Sequence, residues 1–152
     1  MQRVAIVPEY QPFILKEYHY WTLLLNEQQR YLGRAVLWLA RPGGMQRLSG
    51  LSSNELAEMR SICETYERIL DQVRFCPDHM NYAMLGNYIH EHAGHGHVHI
   101  IPRYMVRENP PMFMGVTFED DRWGKNCWPE TPRPVAREVI DGLVALLREK
   151  LK

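Results

Sequence analysis

His95-Gly96-His97-Val98-His99, running on into Ile100-Ile101-Pro102-Arg103-Tyr104, is the stretch that decides the fold. Imidazoles alternate with small or apolar residues, and two β-branched residues follow. A period of two predicts a β-strand, with His95, His97 and His99 on one face and Gly96, Val98 and Ile100 on the other. Five of the seven histidines lie between His90 and His99. Imidazole serves as base, acid, nucleophile or metal ligand near neutral pH, so the cluster marks the place to look for chemistry.

Working outward, residues 19–26 (His19-Tyr20-Trp21-Thr22-Leu23-Leu24-Leu25-Asn26) and 34–40 (Arg34-Ala35-Val36-Leu37-Trp38-Leu39-Ala40) are rich in aromatic and apolar residues. They predict two strands of a hairpin-type unit with Gly33 in the connection and Arg41-Pro42-Gly43-Gly44 as its end. A helix follows. Ser52 and Glu55 match a capping box, and Leu51 and Leu56 stand where a hydrophobic staple places them. Leu56, Met59, Ile62, Cys63, Tyr66, Ile69, Leu70 and Val73 keep helical spacing, and Pro77 is expected to stop the helix. A strand over 81–85 leads to a turn at Gly86-Asn87, and then to the histidine strand. Residues 105–133 hold many prolines and no clean period, so an extended Pro-rich loop is expected there. Pro134 suits the first turn of a C-terminal helix over 134–151, with Val135, Val139, Ile140, Leu143, Leu146, Leu147 and Leu151 on its apolar side. The elements predict one α+β domain over 1–152: an antiparallel β-sheet of about five strands, a long helix packed on it, and a C-terminal helix.

The composition narrows the function classes. The formal net charge is zero, which argues against a broad electrostatic grip on nucleic acid. No stretch is apolar enough to span a bilayer, and the first residues lack the pattern of a secretory signal; a soluble, cytoplasmic protein without a membrane partner is the expectation. Cys63, Cys76 and Cys127 are far apart and form no C-x-x-C pair, so a disulfide framework is not expected.

Three readings of the histidine strand are open. Imidazole is a poor strand filler, so three in register need more than packing to explain them. In a metal site, His95 and His99 would lie ~13 Å apart along a straight strand. Zinc–nitrogen bonds are only ~2 Å long. A ligand would then have to come from elsewhere, from His90, His92, Glu91 or Cys127. In nucleophilic catalysis at phosphorus, one central histidine attacks while donors on either side stabilise phosphoryl oxygens and leaving group. Alternation supplies that order, with His97 between His95 and His99.

The segment His95–Ile101 resembles the histidine triad pattern His-φ-His-φ-His-φ-φ, with Gly96 at the first φ. Leu23-Leu24-Leu25-Asn26, Tyr31-Leu32-Gly33-Arg34 and Arg41-Pro42 resemble that family's first hairpin. Asn81-Tyr82-Ala83-Met84-Leu85-Gly86-Asn87 resembles the strand and turn before the triad in bacterial diadenosine-polyphosphate-hydrolase-like members. The resemblance implies a homodimer that binds a nucleotide and hydrolyses or transfers a nucleotidyl group at the α-phosphate. His97 would be the nucleophile and His95 and His99 would hold phosphoryl oxygens. Asn87 would contact phosphate, and Leu25 and Asn26 would line the base and ribose pocket. No resident cofactor is implied; a divalent metal could arrive as a substrate complex. Where many members carry Gln or Ser before the triad, this chain has His90-Glu91-His92-Ala93-Gly94. His92 is either the replacement proton donor and phosphate contact or an exposed residue. The alternatives are a non-catalytic nucleotide sensor or scaffold, and a metal-dependent hydrolase using the histidine cluster.

Other residues read more plainly. Arg103 is expected to pair with a carboxylate at the surface or a dimer interface. Tyr20, Trp21 and Trp38 are expected to fill core. Trp123 and Trp128 are expected to dock the Pro-rich tail on the body or a partner.

Overall fold

The computed structural model describes residues 2–43, 47–86, 95–126 and 132–152. Five strands form one antiparallel sheet: β1 (Ile14–Glu17), β2 (Trp21–Leu25), β3 (Ala35–Leu39), β4 (His79–Ala83) and β5 (His97–Arg103). Their order across the sheet is β1-β2-β3-β5-β4, with each neighbouring pair antiparallel. Helix α1 (Ser53–Gln72) joins β3 to β4, and α2 (Arg137–Lys150) comes last. The fold is α+β, as the alternating and helical periods predict. Periodicity alone shows no strand at Ile14-Leu15-Lys16-Glu17; β1 exists because β2 offers it an edge to pair with.

One sheet face is the core. Trp21, Leu23, Leu37, Leu39 and Ile100 are fully buried, and the register puts them on the same side as Val98. α1 covers this face: the Trp21 indole donates to the Glu55 carbonyl at 2.9 Å, and the Tyr66 hydroxyl donates to the Gly33 carbonyl at 2.8 Å. Gly33 has φ +84°, and a Cβ there would lie 2.8 Å from Leu70, so the turn and the helix contact both require glycine. α2 flanks the β1 edge, burying Val139, Ile140, Leu143, Val144 and Leu147, while Arg148 donates to the Ile14 carbonyl.

α1 begins as its sequence predicts. Ser52 accepts from the Glu55 backbone, and the Glu55 side chain accepts from Ser52 in return. It does not end at Pro77. Val73 is the C-cap and Arg74 takes φ 64°; the Phe75 amide then bonds the Leu70 carbonyl at 2.9 Å and the Arg74 amide bonds that of Asp71 at 3.0 Å. This is a Schellman closure with arginine where glycine usually stands, which hides it from sequence. Nor is Pro134 in the first turn of α2, whose N-cap is Ala136. β4 lies slightly earlier than residues 81–85, set by its pairing with β5 from His79↔Arg103 to Ala83↔His99.

The stretch expected as a loop, 105–133, contains a two-stranded ribbon, β6 (Met112–Phe113) with β7 (Val116–Thr117). The tail is locked to the body by Arg103. This arginine does pair with a carboxylate, but in the interior rather than at the surface. Its guanidinium meets Asp120 in a bidentate pair at 2.6 and 3.0 Å, donates to the Arg122 carbonyl and lies over the Tyr31 ring; both side chains are buried. Trp123 stacks on His79, so this indole packs within the chain. The Arg30–Asp121 pair is more open.

Two stability predictions follow from these contacts. Replacing Asp120 with Asn strands a buried guanidinium and should cost ~3–5 kcal/mol in urea unfolding. Replacing Asp121 with Asn should cost less than ~1 kcal/mol. Burial pushes the Glu55 carboxyl up, but the hydrogen bonds and charge of Arg41 and the Ser52 amide outweigh it, leaving it below the usual 4.5. A carboxylate held low stabilises the fold above its ordinary pKa and loses that contribution as pH falls through its folded value. The stability gap between the native chain and Glu55→Gln should be full above about pH 4.5 and close as pH falls further below it.

Candidate functional site

The histidines sit where β5 meets β3. His97 pairs across with Trp38, and His99 with Val36. Opposed residues share a face, so Trp38, Val36, His97 and His99 stand together on the face away from α1. β2 extends the row, with Leu24 opposite Val36. A cavity of about 240 Å³ lies on this face. Its imidazole end is His97 and His99, and its wall is Leu24, Val36 and Trp38 from the sheet. The turn over Pro8–Phe13 closes it with Tyr10 and Phe13, and the loop after β2 contributes Asn26, Glu27 and Gln28.

The three imidazoles are not equivalent. β5 begins at His97, so His95 lies just ahead of the strand, although the Gly96 carbonyl still accepts from the Leu39 amide at 2.8 Å. His95 is buried, and its ring lies 4.4 Å from that of Trp38. His97 and His99 are half-buried, edge to face, with ring centroids 5.0 Å apart. The His97 Nδ1 is 3.4 Å from the His95 carbonyl oxygen. A proton on Nδ1 has that carbonyl as its acceptor, which leaves Nε2 with a lone pair. One ring nitrogen of the middle imidazole thus faces the backbone of the first.

Leu25 and Asn26 both border the cavity. Leu25 belongs by register to the core face and is 2% exposed, whereas Leu24 presents its side chain to the cavity. The repeat Leu23-Leu24-Leu25 hides which of the three faces the site. Trp21 fills core as expected; Trp38 does not, and walls the cavity instead. Tyr10 and Phe13 carry no sequence signal, because they reach the site only by the chain folding back over β3. Asn87 and His92, with His90, Glu91, Cys127 and Trp128, fall outside the described residues, so the expected turn at Gly86-Asn87 is described only as far as Gly86. Among the described residues no group of three or more His, Cys, Asp or Glu is placed to hold a metal ion. No described helix is long and apolar enough to cross a membrane.

The loop beyond Asn26 is held by a buried carboxamide. Gln29 donates to the Asn26 and Arg34 carbonyls at 2.5 and 2.8 Å and accepts from the Gly33 amide at 2.8 Å, with no exposed surface. Asn26 in turn accepts from the Gln28 amide at 2.8 Å.

In sequence, the chain matches no family model and no curated protein. In structure it matches histidine triad proteins. One from Bradyrhizobium japonicum is 18% identical with a TM-score of 0.65, covering 99% of each chain. One from Marinobacter aquaeolei is 19% identical with a TM-score of 0.67, covering 98% of this chain and 96% of its own. A diadenosine triphosphate hydrolase from Plasmodium falciparum is 14% identical with a TM-score of 0.59, covering 93% of this chain and 77% of its own. The fold is that of the histidine triad proteins.

Replacing Gln29 with Ala removes a partner from the Asn26 and Arg34 carbonyls and from the Gly33 amide, at ~1–3 kcal/mol for each buried group left unsatisfied; the Arg34 carbonyl keeps the Asn26 amide. Amide exchange should accelerate at Gly33 and Gln28 more than in α1; uniform acceleration would show instead that the loss is global.

Proposed function

We propose that this chain is a histidine triad protein that binds a nucleotide and cleaves or transfers its α-phosphoryl group through a nucleotidyl–histidine. The observation that carries this reading is the cavity bounded at one end by His97 and His99, with the His97 Nδ1 against the His95 carbonyl. An apolar pocket with a few convergent polar groups suits a small ligand. Its lining suits a nucleotide: imidazoles for phosphate, Val36, Leu24 and Phe13 for a base, and Asn26 for ribose.

In the mechanism, the His97 Nε2 lone pair attacks the α-phosphorus of a nucleoside–phosphate–X substrate. A nitrogen–phosphorus bond forms, the phosphorus–X bond breaks, and X leaves with a proton. His99, with its ring edge to face against His97, donates to a phosphoryl oxygen as charge gathers there. His95 acts through its backbone, keeping the proton on Nδ1 of His97. His92 would supply the proton to X. In the second step water, or another acceptor in a transfer reaction, attacks phosphorus from the side X left, its proton returning to the group that protonated X. The nitrogen–phosphorus bond breaks, the nucleoside monophosphate departs, and His97 recovers its lone pair. No resident cofactor enters; a divalent cation would arrive bound to the substrate's phosphates. The same reading includes a homodimer, since β4 is a sheet edge and Tyr82 on it is exposed beside α1.

Replacing His97 with Asn should abolish turnover of nucleoside phosphate esters and phosphoramidates while nucleoside monophosphate binding stays within about threefold, because binding and bond-breaking use different groups. Acid-quenching the native chain with α-labelled substrate should leave label on His97. Binding without turnover by the native chain would leave a nucleotide sensor; activity that disappears in chelator and returns with added metal would favour the metal-dependent hydrolase.

A further inference from the structure

At the end of the cavity away from the histidines stands, among the described residues, a single carboxylate, Glu27. The row His99–Val36–Leu24 crosses two strand spacings, which places Leu24 roughly 10 Å from the imidazole. That span is comparable to the reach from phosphate to base in an extended nucleoside 5′-monophosphate. Just beyond Leu24 the chain turns through Asn26, Glu27 and Gln28, all three on the cavity. The turn is fixed by Asn26 and by the buried Gln29 carboxamide, so Glu27 is presented by a rigid loop.

The Glu27 carboxylate is exposed and makes no hydrogen bond or ion pair among the described residues. Arg133 and Arg137 border the adjoining groove that Glu27 shares, and neither pairs with it: Arg133 donates to the Thr117 carbonyl, and Arg137 pairs with Asp141 and lies over the outer side of the Phe13 ring. Its charge is felt inside the site. The Tyr10 hydroxyl is held above its ordinary pKa, by burial first and then by the negative charges of Glu9 and Glu27. An acceptor-only group thus stands at the rim of the cavity, at the end where a base would lie.

We infer that Glu27 reads the base and makes this site prefer guanine over adenine. Guanine presents two adjacent N–H donors, the ring N1–H and the 2-amino group, which match the two carboxylate oxygens. Adenine presents one amino group beside a ring nitrogen lone pair, and the second carboxylate oxygen repels that lone pair. The neighbouring Gln28 carboxamide supplies an N–H for the guanine O6. Sites built to hydrogen-bond a group discriminate strongly against an analogue that lacks it. This inference rests on the nucleotide reading above.

The test is calorimetric titration of the native chain with GMP and with AMP, repeated on Glu27→Gln. GMP should bind about tenfold more tightly than AMP, and the ratio should fall to within about threefold in the variant. Glu27 is exposed, so the substitution leaves the fold in place; a circular dichroism melt checks this. AMP binding as tightly as GMP, or a ratio unchanged by Glu27→Gln, overturns the inference and leaves the nucleotide reading standing. Failure of both nucleotides to bind overturns the two together.

Discussion

The pairing of Trp38 with His97 and of Val36 with His99 is the constraint on which the site depends. Side chains alternate along a strand, so a slip of one residue would bury the imidazoles under α1 and turn Val98 and Ile100 toward the cavity. That slip is prevented energetically. Val98, Ile100, Leu37 and Leu39 are all buried on the α1 side, and each apolar side chain moved to water would cost about 1.5–3 kcal/mol. The chemistry of one face is therefore fixed by hydrophobic burial on the other.

The same strand carries its own anchor at the far end. β5 closes with Arg103, whose buried pair with Asp120 ties down the segment after it. Tyr104 adds a hydroxyl bond to the Leu32 carbonyl, in the turn that also holds Gly33. Histidines, sheet register, the loop after β2 and the chain beyond β5 are thus joined through a few buried polar contacts. A buried ion pair of this kind is a weak source of net stability, but once one partner is lost the other is left charged in the interior. Its consequence here is positional.

The site is walled by the sheet on one side and by the returning chain on the other. The sheet wall, Leu24, Val36 and Trp38, moves only with the fold. The cover over Pro8–Phe13 is a short 3-10 turn that reaches the sheet through Tyr10 and Phe13.

The alternation of His95 to Ile101, the capping box at Ser52 and Glu55, and the helical spacing from Leu56 to Val73 were legible by themselves, since local period and cap chemistry act over a few residues. They suffice for an α+β sheet and for His97 as the central imidazole. β1, the Schellman closure through Arg74, and the early start of β4 were not legible, because each depends on a neighbour supplied by a distant part of the chain. The same holds for the site's other residues. Nothing local distinguishes Leu24 from Leu23 or Leu25, marks Tyr10 and Phe13 as pocket walls, or shows that Arg103 is buried against Asp120. Periodicity assigns a residue to a face; only the packing of strands, helix and returning chain determines what that face meets.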